Sequence, residues 1–465
     1  MTHDGGRSRD VEDQRHGFAP GSIRAAWSYR DFRLLWLGSF WSNVGTWMQN
    51  VALPAYIVSQ THSGFKVGVM VFAQLGPQLL LAIPAGVLAS RVSRRKLLVT
   101  MQSAQLLGSL VLALLISRHS SFESLFFVNL FIGICNTLNA PAFQSAQPEL
   151  VSRNDLPGAI ALNSAALNGS RVIGPVITAV LTLGGVTIAQ IFVINAATYL
   201  FVIAALAVVQ LPRPTRSTEA GFRQLTTGLR IARQKKIVGR VILSMALFSF
   251  FTLVYIGQFA KIADSAMHID TTGPVYLWLY AVWGFGACLG AISVGTLLTR
   301  VDKRRIVTPG LLGVGVALAA FALQRHAGPA FPIVFVLGFF YFLTATGMAT
   351  VLQQNITHFE RPFVMSLWFM AFGGTVALGN LAFGPVIDRF GSSWVLLGGA
   401  AFSIFLSWFC DLRRPEFDSE VTEAASAKSG RAFDSDRGDP GQPIDKSFEP
   451  AHSAALEQYG IASAD

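Results

Sequence analysis

Twelve stretches of about 20 mostly apolar residues punctuate this chain, and no other feature constrains its fold as strongly. They cover 34–58, 65–89, 97–116, 122–140, 159–183 and 188–209. After a polar interval at 211–240 come 241–260, 275–298, 306–323, 331–351, 363–385 and 394–409. A helix of this length crosses the hydrocarbon of a bilayer, where every backbone N–H and C=O must be satisfied within the segment. The expected fold is all-α and integral to the membrane, with twelve transmembrane helices in two sets of six. Only 13% of the 465 residues are charged, about half the share found in soluble domains. The net charge of +10 forms no continuous basic face for nucleic acid, because Lys and Arg fall in short clusters between the apolar stretches.

Those clusters orient the chain. With the N-terminus in the cytoplasm, all but six of the 36 Lys and Arg lie on the cytoplasmic side. Lys66, Arg118, Lys261, Arg325 and Arg389 lie opposite, and Arg171 lies within a span. The bias puts both termini inside. Residues 1–30 hold no apolar signal-peptide core and read as a polar cytoplasmic tail. The expected division is that tail, a six-helix bundle at 31–210, a cytoplasmic linker at 211–240, a second bundle at 241–410, and a disordered tail at 411–465 rich in Ser, Asp, Gly, Pro and Ala. In the linker, Phe222, Leu225 and Leu229 recur at helical spacing among Arg223, Arg230, Arg233, Lys235 and Lys236. This fits an amphipathic helix on the anionic leaflet or a solvated connector.

An internal repeat relates the two sets of spans. Gly86-Val-Leu-Ala-Ser90-Arg91-Val-Ser-Arg94-Arg95-Lys96 follows the second span, and Gly295-Thr-Leu-Leu-Thr299-Arg300-Val-Asp-Lys303-Arg304-Arg305 follows the eighth. Gly174-Pro175-Val-Ile in span five recurs as Gly384-Pro385-Val-Ile in span eleven at nearly the same offset. Two matches in one register imply two pseudo-symmetric six-helix bundles. Parallel repeats of this kind belong to rocking carriers with a site between the halves near mid-membrane.

Polar residues inside spans need a reason, since a charge at mid-membrane costs at least about 2.5–3.5 kcal/mol. Arg171 is the one basic residue well inside a span, with Asn168 on the same face. It reads as an anion-binding or coupling residue, or as a tie to a neighbouring helix. Span one carries Asn43, Trp47 and Asn50 on one face, span two Gln74 and Gln78, and span four Asn129 and Asn136. Each stripe is either cavity lining or amide glue between helices. No Asp or Glu sits deep in a span; Glu123 and Glu149 lie near the ends of span four. Gly174-Pro175 and Gly384-Pro385 are hinge candidates or architectural pairs. Gly286 and Gly290 form a small-residue packing face. Cys135, Cys288 and Cys410 lie in apolar runs as small hydrophobes. No nucleotide-binding loop, metal-ligand spacing or catalytic triad occurs, so neither ATP-driven transport nor an enzyme is expected, and no metal or cofactor is called for.

Twelve spans, a central loop and the repeated Gly-x-x-x-polar-Arg-x-x-Arg-Arg-Lys pattern resemble the major facilitator superfamily. Phe32-Arg33-Leu34-Leu35-Trp36, Gly45-Thr46-Trp47-Met48-Gln49, Pro141-Ala142-Phe143-Gln144, Pro148-Glu149-Leu150-Val151 and Arg171-Val-Ile-Gly174-Pro175 are similar to its bacterial branch of enterobactin-exporter-like carriers and transmembrane secretion effectors. The resemblance implies a monomeric multi-pass transporter of a bacterial plasma membrane that exports a small molecule (drug, siderophore or metabolite), commonly as a proton-coupled antiporter. Its gating loops would be Gly86, Ser90, Arg91, Arg94 and Arg95, and Gly295, Thr299, Arg300 and Arg304. The superfamily usually has Asp where this chain has Ser90 and Thr299, which implies a weaker charge latch on the cytoplasmic side. An importer, or a non-transporting sensor on the same fold, remains the alternative.

Overall fold

The computed structural model describes residues 18–211, 222–357 and 360–413. The expected C-terminal tail beyond 413 and the first 17 residues lie outside the described residues, as do the side chains of Phe222, Leu225 and Ser90. Among the described residues there are helices and no strands. The first set comprises α1 (Ile23–Ser28), α2 (Arg30–Thr61), α3 (Gly64–Leu75), α4 (Pro77–Arg91), α5 (Arg94–Ser117), α6 (Phe122–Ala146), α7 (Leu156–Leu183) and α8 (Ile188–Val208). Then come α9 (Phe222–Gln234), α10 (Lys236–Leu247), α11 (Val254–Gly257), α12 (Phe259–Met267), α13 (Pro274–Gly295), α14 (Arg304–Ala322), α15 (Ala327–Gln354), α16 (Arg361–Phe369), α17 (Thr375–Phe390) and α18 (Ser392–Phe409).

Ten stretches among the described residues are helical, long and apolar enough to cross a membrane. The other two expected crossings open their respective halves, and each departs for a physical reason. The first, α2, carries Ser39, Ser42, Asn43, Gln49 and Asn50 among its apolar residues, which lowers its hydropathy. The second is broken into α10, a π turn at Phe248–Thr252, α11 and α12, so no unbroken helix there has the length. A second π turn, Met370–Gly374, separates α16 from α17.

The architecture is two six-helix bundles. In the first, α2 packs on α7 and α8, α5 on α6 and α8, and α4 on α6; in the second, α13 packs on α15, and α14 on α15 and α18. The halves meet along α3 against α17 and α7 against α13. The sequence repeat exchanges these two pairs, which places the pseudo-twofold between them. Lipid supplies no hydrophobic drive for helix association, so close packing must do it. A Cβ at Gly286 or Gly290 would collide with the carbonyl oxygens of Phe335 or Phe339 on α15, which accounts for the small face of α13.

Two stretches expected to be peripheral are docked. Within the expected N-terminal tail, α1 lies against α7. The Tyr29 hydroxyl donates to Asp155 Oδ2 at 2.9 Å and Gly21 N donates to Oδ1 at 2.9 Å. Burial, reinforced by the Asp155 carboxylate, pushes the Tyr29 phenol above its ordinary pKa. In the linker, α9 turns Gly228 and the fully buried Ile231 onto protein, against α16 and α10, while Leu229 stays exposed. Its amphipathic pattern thus has one face on protein.

Filling the α13–α15 contact should be costly. We expect Gly290→Val to destabilise the protein by about 1–3 kcal/mol, as overpacking does, and to lower the thermal midpoint in detergent. Gly398→Ala, where a Cβ meets nothing, should not lower the midpoint and should raise it slightly through its better helix propensity.

Candidate functional site

A cavity of about 570 Å³ lies between the halves. The first half contributes Trp47, Gln78, Gly86, Thr137, Gln144 and Arg171; the second contributes Tyr341, Met365, Ser366, Phe369 and Phe372, among others. Its lining reaches toward the basic-loop end at Gly86 and Gln144. The opposite end is sealed. Asp388, at the C-terminal end of α17, caps the N-terminus of α3: Oδ1 accepts from Gly64 N at 2.6 Å, and Oδ2 from Phe65 N at 2.9 Å and Ser63 Oγ at 2.8 Å. A carboxylate there also meets the positive end of the helix dipole. Gln258 Nε2 donates to Gly64 O at 3.0 Å, Lys261 Nζ to His62 O at 2.6 Å, and Thr271 Oγ1 to Ala55 O at 2.9 Å. All these bonds join the first half to the second.

Arg171 is held by aromatic rings. Its guanidinium carbon lies 4.7 Å from the centroid of Trp47 on α2 and 3.9 Å from that of Phe342 on α15. Two such contacts contribute about 1–4 kcal/mol together, enough to offset much of the insertion cost of the charge. Neither Nε nor Nη1 has a hydrogen-bond partner. Beyond Phe342 stands an aromatic wall, with Trp283 stacked on Tyr341 at 5.9 Å and donating through Nε1 to Tyr255 Oη at 3.3 Å.

Of the cavity candidates chosen from sequence, Trp47, Gln78 and Arg171 line the cavity. Others bond between or within helices instead. Gln74 Nε2 donates to Asn50 Oδ1 at 2.5 Å, tying α3 to α2. Buried Asn129 donates to Met70 O at 2.9 Å, and Asn168 to Ser164 O at 2.9 Å within its own helix. Asn43 and Asn136 are half-buried and are not among the residues that line the cavity. The second half's lining escaped the sequence reading, because Phe369, Phe372 and Tyr341 look like any lipid-facing or core aromatic. Gln144 carried a signal: at the offset of the repeat stand Gln353 and Gln354.

The Gly-Pro pairs sit inside unbroken helices. A Cβ at Gly174 would strike Trp47 Cβ and Val44 O, and one at Gly384 would strike Gly64 O and Phe65 Cα. Both glycines therefore permit close packing, of α7 on α2 and of α17 on α3. The helical irregularities lie elsewhere, at the two π turns.

At the basic loops, Arg94 is buried and forked onto Glu149, with Nη2 donating to Oε1 at 2.8 Å, and Arg95 donates to Val209 O. The acid absent at position 90 is thus not the one Arg94 uses. Arg91 and Arg300 are exposed. Thr299 donates to Gly295 O at 2.8 Å, Arg304 pairs with Asp302 at 3.0 Å, and Lys303 donates to Thr299 O and Val301 O. Neither Gly86 nor Gly295 would bring a Cβ within 4 Å of anything. Glu360, at the repeat position of Glu149, is held by Lys235 Nζ at 2.6 Å.

A cavity at the junction of two repeated six-helix bundles, sealed at one end by bonds between them, defines a transporter of the major facilitator type. The chain belongs to the transmembrane secretion effector family, whose model matches residues 22–455. It is 27% identical over 295 residues to the enterobactin exporter EntS of Escherichia coli O1:K1, covering 63% of this chain and 70% of the relative. With the enterobactin exporter EntS of Escherichia coli O81 the identity is 26% over 337 residues, 72% of this chain and 78% of the relative. Among solved structures, the nucleoside transporter NupG superposes with a TM-score of 0.65 at 13% identity, covering 82% of this chain and 98% of that one. A bacterial homologue of the lysosomal transporter Spinster, inward-facing and unoccupied, gives 0.62 at 15% identity, covering 85% and 99%. The family and these relatives are transporters, not enzymes, and the chain is a multi-pass membrane protein.

Replacing Asp388 by Asn removes a charged acceptor from three donors, a loss of about 1.5–3 kcal/mol. The sealed end should open in about 10 to 150 times more molecules. Pulsed electron resonance between spin labels at Ser120 and His326 should then show a new long-distance population, and an unchanged distribution would count against this latch.

Proposed function

We propose that this protein exports a small organic molecule from the cytoplasm by alternating access, energised by the proton-motive force. The observation that carries the reading is the cavity holding Arg171 between two halves, closed at the Asp388 end and reaching toward the basic loops. Basic loops mark the cytoplasmic face, so both termini lie inside and the cavity faces the compartment from which cargo is taken. The halves at 31–210 and 241–410 move as the rocking bodies, joined through the linker at 211–240. Export is favoured over import by the relatives that are themselves enterobactin exporters. No acidic residue is found among the described cavity-lining residues, so a proton, if exchanged, is carried elsewhere or on the cargo. One copy of the chain, in a bacterial plasma membrane, completes the carrier.

The test compares small molecules inside and outside cells that lack the protein, express it, or express Arg171→Ala, each with and without a protonophore. A compound retained by the deletion strain should be expelled by the wild type at least about tenfold faster than by Arg171→Ala, given the charge-assisted bond lost. The protonophore should abolish the difference. Uptake instead of expulsion would reverse the direction, and no change across a broad panel would remove the small-molecule export reading.

A further inference from the structure

The other buried and half-buried basic side chains described above donate to oxygen. Arg94 meets Glu149, Lys235 meets Glu360, Lys261 meets His62 O, and Lys303 meets a ring of carbonyls. Arg171 is different. Trp47 and Phe342 each present a ring face to its guanidinium carbon, but a ring face accepts no ordinary hydrogen bond from the N–H groups. Nε and Nη1 remain buried and unpartnered, on a residue that lines the cavity. Nε and Nη1 do not share an edge, but each forms with Nη2 a fork that matches a carboxylate with two parallel bonds.

The walls around the guanidinium are aromatic. Tyr341 lines the cavity with Trp283 stacked behind it, and Phe369 and Phe372 line it from the foot of the second half. These surfaces suit a flat apolar body, while Gln78 and Gln144 offer neutral hydrogen bonds that leave the charge of the site unaltered.

We infer that the cargo is an organic anion, an aromatic carboxylate, whose carboxylate takes one of these forks of Arg171 while its ring lies along the Tyr341 and Phe372 walls. This deepens the exporter reading and rests on it. Two consequences follow from charge alone. The loaded site is neutral, whereas the empty site holds a bare cation, so crossing the closed state is easier with cargo than without it. Each anion exported also carries negative charge outward, so an inside-negative membrane potential drives it without any acidic residue in the cavity.

The test uses the full-length protein purified in detergent micelles, with 2-naphthoate, 2-naphthamide and 2-naphthylmethylammonium as probes of one shape and three charges. Calorimetry should show saturable naphthoate binding at least about tenfold tighter than naphthamide, the ratio that a charge-assisted fork supplies, with the ammonium weaker still. Arg171→Gln should erase the preference for naphthoate over naphthamide, and Arg171→Lys should retain only part of it. If the Arg171 variants do not fold, the wild-type comparison alone decides. Naphthamide binding as tightly as naphthoate, a preference intact in Arg171→Gln, or no saturable naphthoate binding up to millimolar concentration each overturns the inference. Naphthoate binding in micelles without movement across vesicles would leave it standing and remove the exporter reading. Export of a neutral or cationic compound in the cell comparison would do the reverse.

Discussion

The molecule depends on the close backbone approach of α3 and α17. Gly64 and Gly68 on one helix face Gly384 and Asn380 on the other, and any side chain at these glycines would meet main-chain atoms. In lipid, where apolar area gives no advantage to helix contact, such proximity is what lets dispersion and hydrogen bonds act. It brings Asp388 within reach of the free N–H groups of α3, and so closes one end of the path between the halves. The crossing of α7 and α13 works alike, with Gly284 against the backbone of Arg171. That second crossing also fixes the height of the buried guanidinium in the membrane. The sealed end and the charged cavity are thus consequences of two symmetric helix crossings.

Much of the fold was legible because the bilayer writes a length into the sequence. Twelve apolar stretches and a repeat near 209 residues are coarse signals that survive every local irregularity. What faces what was far less legible. A membrane helix is apolar all round, so the amide stripes gave no direction, and Gln74, Asn50 and Asn129 proved to join helices while Gln78 faces the cavity. Arg171 could be singled out by cost alone. The aromatic lining from the second half had no cost to mark it and was missed. Glu149 was noted only for its place at the end of span four, and its pairing with Arg94 was not foreseen, although Glu360 lies 211 residues later, in the register of the repeat.

That pair of acids shows how the halves diverge while keeping one fold. Glu149 serves the basic loop of its own half by holding Arg94. Glu360 is engaged by Lys235 from the linker region, and the equivalent basic loop instead satisfies itself through Asp302 and Lys303. The first half is therefore braced internally at its basic-loop end, whereas the foot of the second is fastened to the segment that connects the two. With α9 packed on α16, the described part of this connector, residues 222–240, is part of the second half's structure.

The two π turns give the second half a property that the first half, as described, does not share. Each holds one residue more than an α turn, and such an insertion can migrate along a helix by exchanging hydrogen bonds one at a time. They lie side by side: Thr375, just after one turn, donates to Ala246 O, just before the other. Shifting a helix by one residue swings every side chain beyond that point through roughly 100°. The wall of Phe369 and Phe372 is set at one of these turns, so its rings can be re-aimed by a small slip in the phase of a single helix. The first half would then act as a fixed anvil carrying the charge, and the second as an adjustable jaw.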